Sequence, residues 1–261
     1  MKAHFITLFP EIIEVSVNSG ITGKAIKNSL IDVETLNPRK FLAANERVDD
    51  KIYGGGPGML LKAQPINDAI KEIKEKIPGK SKVIFLSPRG KVFNQEKAKK
   101  LSNEDNLIFI CGRYEGIDQR IVNSLVDEEI SIGDFILSGG EIPALAVFDS
   151  IIRNIEGVLG DNESLLEESF NENLLEYPHF TRPEEMSLGK VPEELLSGNH
   201  ERIEIWRKKQ SLGYTALNRM DLIKNKKLDK NEKSLIREFF DELNVESDRI
   251  ADFLKENNKD D

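Results

Sequence analysis

Leu107-Ile108-Phe109-Ile110-Cys111-Gly112-Arg113-Tyr114-Glu115-Gly116 sets an unbroken apolar run directly before a glycine-bounded polar turn. A short continuous apolar run is what a strand buried on both faces requires. The same arrangement occurs upstream, where Val83-Ile84-Phe85-Leu86 leads into Ser87-Pro88-Arg89-Gly90. It recurs downstream, where Ile130–Ile132 reads as extended and leads into Gly133-Asp134-Phe135-Ile136-Leu137-Ser138-Gly139-Gly140. Further out, Ala3–Leu8 and Ile31–Leu36 read as strands, and Pro10 suits the first turn of a helix, where its missing N–H costs nothing. Ile66, Ala69, Ile70, Ile73 and Ile77 fall at helical spacing. Further helices are predicted over about 94–102, 117–126 and 141–155. Strands alternating with helices predict an α/β fold with a largely parallel sheet.

The pattern changes after Gly160. Residues 161–185 are polar and acidic with little periodicity, which reads as an interdomain linker or mobile loop. From 192 onward the chain reads as helical. Pro192 opens a short helix and Gly198 closes it. A basic helix over 201–212 carries Ile203 and Trp206 on one side. Asp229 and Glu232 have capping-box spacing before Leu235, Ile236, Phe239, Phe240 and Leu243. The charged residues 255–261 are expected to fray. The division expected is therefore 1–160, 161–185 and 186–261.

Composition narrows the function classes. One cysteine, Cys111, in 261 residues excludes an intrachain disulfide and suits a reducing compartment. Cys111 and the three histidines, His4, His179 and His200, have no zinc-ligand spacing. No apolar run approaches the roughly 18 residues of a membrane span, and the expectation is a cytoplasmic protein without a membrane partner. The net charge of −9 argues against a nucleic-acid partner when taken as a sum. Its distribution is uneven. Residues 51–100 carry 12 Lys and Arg against 4 Asp and Glu, 101–200 carry 5 against 21, and 201–227 carry 8 against 3. Solvated helix faces and nucleic-acid contacts both remain open on charge alone.

In an open parallel sheet, ligands bind beyond the carboxyl ends of the strands. Three glycine loops at three such ends could line one pocket, although each alone reads equally as an ordinary turn. Gly54-Gly55-Gly56-Pro57-Gly58 resembles a phosphate cradle, but no Lys-Ser or Lys-Thr follows it, and a surface loop is the plain alternative. Carboxylates are the candidate general bases, namely Glu115 in the second loop and Glu167 and Glu168 in the linker. His4 sits in a core strand and reads as structural, and Cys111 as packing. Arg113 and Arg153 are isolated cations in an acidic region, where each serves either a site or a salt bridge.

Several runs together resemble one family. They are Tyr53-Gly-Gly-Gly-Pro-Gly-Met59, Leu86-Ser-Pro-Arg-Gly90, Cys111-Gly-Arg-Tyr-Glu-Gly-Ile-Asp118, Ser131-Ile-Gly-Asp-Phe-Ile-Leu-Ser-Gly-Gly-Glu141, Pro178-His-Phe-Thr-Arg-Pro183 and Leu196-Ser-Gly-Asn-His200. In order from residue 5 to about 217, the chain resembles the bacterial tRNA (guanine-N1)-methyltransferases. The resemblance implies a knotted, SPOUT-type α/β domain that binds S-adenosyl-L-methionine. It implies methylation of N1 of the guanine 3′ of the anticodon, in tRNAs where a guanine precedes it, by a homodimer. It also admits an inactive or weak RNA-binding relative of the same fold. The cofactor residues carried over by motif are Gly112, Ile132, Gly133, Asp134, Phe135, Ile136 and Leu137. Leu86, Ser87, Pro88, Gly139 and Gly140 lie nearby, and Glu115 stands at the methionine moiety or a magnesium ion.

The proton on guanine N1 must be removed and charge at O6 stabilised, which calls for a carboxylate base and a cation. The motif match implies Arg153 as the cation and Glu168 as the base. The family has aspartate before Ser-Phe, and here Glu168 precedes Ser169-Phe170. The extra methylene matters, since misplacement by about 1 Å can cost on the order of a hundredfold in rate. The basic helix, with Arg207, Lys208 and Lys209, is the expected tRNA-binding segment.

Overall fold

A computed structural model describes residues 1–160, 168–224 and 226–243. The chain divides into two compact units, Met1–Asn162 and Glu163–Asp261.

Five strands make the sheet of the first unit. They are β1 (Lys2–Ile6), β2 (Asp32–Leu36), β5 (Lys82–Val92), β6 (Asn106–Ile110) and β7 (Glu128–Ser131). Their order is β2-β1-β6-β5-β7, and every pairing is parallel. A second ladder pairs β3 (Asp49–Asp50) with β4 (Leu60–Leu61). Helices α1 (Pro10–Val17), α2 (Gly20–Lys27), α3 (Ala63–Lys76), α4 (Gln95–Leu101), α5 (Gln119–Leu125) and α6 (Glu141–Ile152) cover the sheet. Pro10 occupies the first turn of α1.

The apolar runs are continuous because both faces of the sheet are covered. Along β6, Leu107 and Phe109 face one core and Ile108 and Ile110 the other. Ile84 and Leu86 of β5 join the first core, Val83 and Phe85 the second. Helices α1, α2, α4 and α6 fill the first core, and α3 and α5 the second. Phe5, Phe109 and Phe148 interlock there. The first two stack at 4.9 Å, and Phe148 meets Phe5 edge-on at 5.4 Å. Burial of each such ring contributes roughly 1.5–3 kcal/mol.

His4 is buried on β1 beside Glu34, with which it is in register. Its Nδ1 lies 3.6 Å from Glu34 Oε2. Burial holds its pKa below the ordinary histidine value, against the pull of Glu34.

β5 does not end at Leu86, as its sequence predicts. Leu86 and Lys91 both register on Ile130, so residues 87–90 leave the ladder and the strand resumes. Pro88 has no N–H to give a ladder. Gly90 lets the strand close again, because a Cβ there would stand 2.5 Å from the backbone of Glu129 and Ile130.

The second unit contains α7 (Glu193–Leu196), α8 (His200–Asn218), α9 (Met220–Ile223) and α10 (Lys230–Glu242), with a small hairpin of β8 (Glu185–Met186) and β9 (Gly189–Lys190). The capping box of Asp229 and Glu232 starts α10. Leu212, Ala216, Ile236 and Phe239 form the core. α8 runs past Gly213, because the Phe239 ring lies where a side chain at that position would be. Close helix packing there outweighs the roughly 1 kcal/mol propensity cost of glycine. Within the stretch read as a linker, Leu175 is bonded to α8. Its N–H donates to Thr215 Oγ1 at 2.8 Å, and its carbonyl accepts from Ser211 Oγ at 2.5 Å. Residues 255–261, expected to fray, lie outside the described residues.

Candidate functional site

The three glycine loops follow or interrupt β6, β5 and β7, which are adjacent in the sheet. They surround one cavity of about 580 Å³, within the range of small-molecule sites. From β5 it is lined by Leu86, Ser87, Pro88 and Arg89, and from the loop after β6 by Gly112, Tyr114 and Glu115. The loop after β7 contributes Ile132, Gly133, Phe135, Ile136, Leu137, Gly139 and Gly140. Asp134 is not on the wall. The chain turns at Gly133, the Phe135 ring folds back over it, and the Asp134 side chain is exposed.

Sequence reasoning gave these glycines one purpose, close approach of backbone to ligand. The structure gives two of them another. A Cβ on Gly140 would stand 2.7 Å from Cys111 Cα and Gly112 N, and Gly140 N–H donates to Gly112 O at 2.8 Å. A Cβ on Gly139 would collide with the Arg113 guanidinium. Here two backbone segments, 111–113 and 138–140, pass in direct contact.

Arg113 ties these segments together. Its Nε donates to Glu141 Oε2 at 2.9 Å and its Nη1 to Ser138 O at 3.1 Å. Its guanidinium lies 4.4 Å from the centre of the Phe9 ring. Glu141 is 1 % exposed, and its other oxygen accepts from Thr7 Oγ1 at 2.7 Å. The salt-bridge alternative for Arg113 therefore holds. Burial, with Glu141 nearby, pushes the Cys111 thiol well above its usual pKa, so Cys111 is packing.

The loop 53–59 docks at the rim of the cavity. Gly54, Gly55, Gly56 and Gly58 all have φ between 79° and 123°. The Glu115 side chain occupies the space where a Gly58 Cβ would be, and Glu115 N–H donates to Met59 O at 2.9 Å. Tyr53 is 97 % exposed.

Arg153 is half-buried at the C-terminal cap of α6, in the first unit. Glu168 is half-buried and belongs to the second. Glu167 lies outside the described residues. On α8, Arg207 Nη1 lies 2.9 Å from Glu204, Lys208 Nζ 3.2 Å from Glu232, and Lys209 Nζ 2.5 Å from Glu242. Lys209 is buried, and the Arg207 guanidinium lies 4.9 Å from the centre of the Tyr177 ring.

Sequence reasoning missed Glu141 as the anchor of Arg113, and Arg89, Tyr114 and Gln119 on the cavity wall. Tyr114 has φ of 59°, which no local pattern announces. Among the described residues, no three His, Cys, Asp or Glu side chains are grouped to hold a metal, and no helix is long and apolar enough to cross a membrane.

Fold and cavity define a doubly covered parallel α/β domain with a glycine-walled ligand site at the carboxyl edge of its sheet. A family model described as tRNA (Guanine-1)-methyltransferase TrmD matches residues 1–225. The tRNA (guanine-N(1)-)-methyltransferase of Vibrio cholerae is 51 % identical over 243 residues, 93 % of this chain and 98 % of the relative. Proteins of the same name from Vibrio vulnificus and Aliivibrio fischeri are 50 % and 52 % identical, over 91 % and 90 % of this chain and 96 % and 94 % of theirs. The chain belongs to the tRNA (guanine-N1)-methyltransferase family, whose knotted, SPOUT-type α/β enzymes use S-adenosyl-L-methionine.

Proposed function

We propose that this chain methylates N1 of guanine 37, 3′ of the anticodon, in tRNAs where a guanine precedes it. The observation that carries the reading is the single cavity walled by the three glycine loops, in a chain that the family model covers through residue 225.

The cavity suits S-adenosyl-L-methionine in several respects. Its volume is ample, its walls are mostly apolar or backbone, and Glu115 offers a carboxylate to a cationic ligand. Leu86, Ser87, Pro88, Gly112, Ile132, Gly133, Phe135, Ile136, Leu137, Gly139 and Gly140 would hold it. When bound, it supplies an electrophilic methyl group on a sulfonium sulfur. Glu168 takes the proton from guanine N1, freeing its lone pair, and Arg153 stabilises the charge that develops at O6. Among the described residues Glu115 is the one carboxylate on the cavity wall. A magnesium ion there would rely on that group with waters and substrate oxygens, a pattern magnesium accepts.

Residues 1–160 are assigned to catalysis, 161–185 to the connection and 186–261 to tRNA. Arg207 and Lys208 offer charge to the phosphate backbone, while Lys209 supports the helix from within. The enzyme works as a homodimer in the cytoplasm. Glu168 in place of aspartate favours a second reading, a weak or inactive RNA-binding relative. Incubation with tRNA and methyl-labelled cofactor separates the two. Label in tRNA, lost in Glu168→Gln while cofactor binding persists, supports the enzyme. No label from the unmodified protein supports the second reading.

A further inference from the structure

Arg89 has no assigned role, yet it stands on the cavity wall. Among the described residues it is the only cation on that wall, as Glu115 is the only carboxylate. Three other arginines of the first unit have a carboxylate partner, Arg47 with Asp49, Arg113 with Glu141 and Arg120 with Asp118, and Arg39, away from the cavity, gives its guanidinium to the Leu8 carbonyl. Among the described residues, Arg89 has no carboxylate within the 4.0 Å of an ion pair. Its side-chain partner is neutral, with Nη2 donating to Gln119 Oε1 at 2.9 Å. Gln119 opens α5, four residues after Glu115, so this bond ties the guanidinium to the segment that carries the carboxylate. The backbone beneath is also held, since Arg89 N–H donates to Ser87 Oγ at 3.2 Å. Residues 87–90 leave the sheet ladder only here, and that excursion is what brings Arg89 to the cavity.

An arginine kept without an anionic partner, aimed by a neutral amide, is a carboxylate receptor in wait: its planar fork matches a carboxylate in two-point geometry. Resting on the assignment of the cavity to S-adenosyl-L-methionine, we propose that Arg89, oriented by Gln119, binds the α-carboxylate of the cofactor's methionine end. Glu115 faces the ammonium and sulfonium of the same end. The wall thus presents one cation and one anion to a zwitterionic head. A nucleic-acid phosphate is the competing use of an exposed arginine. Its place on the cavity wall, joined to the Glu115 segment, favours the carboxylate.

The test is calorimetric titration of S-adenosyl-L-methionine and of its decarboxylated analogue into the full-length protein and its variants. Arg89 is exposed, so Arg89→Met should fold normally. The expected result is a loss of about tenfold in affinity for the cofactor, the scale of a partly exposed charge-assisted pair. Affinity for the decarboxylated analogue should stay within about twofold, because a ligand without the carboxylate has nothing for Arg89 to grip. Arg89→Lys should recover part of the loss. Equal losses for both ligands, or none, overturn the proposal. So does a variant that binds cofactor normally but tRNA more weakly, which assigns Arg89 to phosphate. Leu137→Trp, which fills the cavity from its rim, should weaken both ligands. If it weakens neither, the cavity assignment itself fails. If it weakens both while Arg89→Met weakens neither, only the role of Arg89 fails.

Discussion

Removing Arg113 should cost the first unit far more than a surface ion pair would. Arg113→Met leaves the Glu141 carboxylate at 1 % exposure with only the Thr7 hydroxyl to satisfy it. Breaking one side of a buried pair costs about 3–5 kcal/mol, because the remaining charge is stranded away from water. The Arg113 side chain keeps 19 % exposure, so water can reach part of the site and the lower end applies, about 3 kcal/mol. Loss of the contact with the Phe9 ring adds about 0.5–1 kcal/mol. In a unit of this size each kcal/mol moves Tm by about 2–4 °C, so a fall of roughly 7–16 °C is expected. Thermal unfolding followed by circular dichroism measures it. Glu141→Gln with Arg113→Met removes both charges and should recover much of the loss. Cofactor affinity should also fall in the single variant, since Ser138 loses its anchor to Arg113. A Tm change under about 3 °C, or a double variant worse than the sum of the singles, would refute the buried-lock argument.

Three further outcomes are expected. Burial lowers the His4 pKa below its unfolded value of about 6.5. The unfolded chain therefore binds the proton first, and stability should fall as pH drops below about 6.5 toward the folded value; urea titrations across that range should show a shallower slope for His4→Leu. Gly140→Ala should cost about 1–3 kcal/mol, since the added methyl meets the Cys111 and Gly112 backbone at 2.7 Å. In the same melting assay Gly160→Ala, where no described residue lies within 4 Å, should be silent. Lys208→Glu should weaken tRNA binding with cofactor binding unchanged and reduce its salt slope by about 1, whereas Lys209→Met should lower the melting temperature of the helical unit.

The strands were legible because a parallel sheet covered on both faces demands unbroken apolar runs, as at Val83–Leu86 and Leu107–Ile110. The α10 start was legible because a capping box is a local pattern. The excursion at 87–90 was not, because only the partner strand reveals that Leu86 and Lys91 share Ile130. Charge pairing across distance was equally hidden. Arg113 meets Glu141 28 residues on, and Lys209 meets Glu242 33 residues on. Lys209 therefore looked like part of a basic face when it is turned inward. Most residues that line the cavity stand in motifs that the family resemblance picks out; Asp134, carried over with them, has an exposed side chain and does not line it. Arg89 was given no role from sequence because its lack of a carboxylate partner among the described residues is a matter of tertiary structure, which no spacing encodes.

The central claim is the position and identity of the methylated base. An unmodified tRNA transcript with guanines at the target and preceding positions should be incubated with the protein and S-adenosyl-L-methionine, digested with nuclease, and read by mass spectrometry. The account predicts one added methyl group on guanine N1, 3′ of the anticodon, and its loss when the preceding guanine is replaced. A methyl group elsewhere in the tRNA, or none, would contradict it.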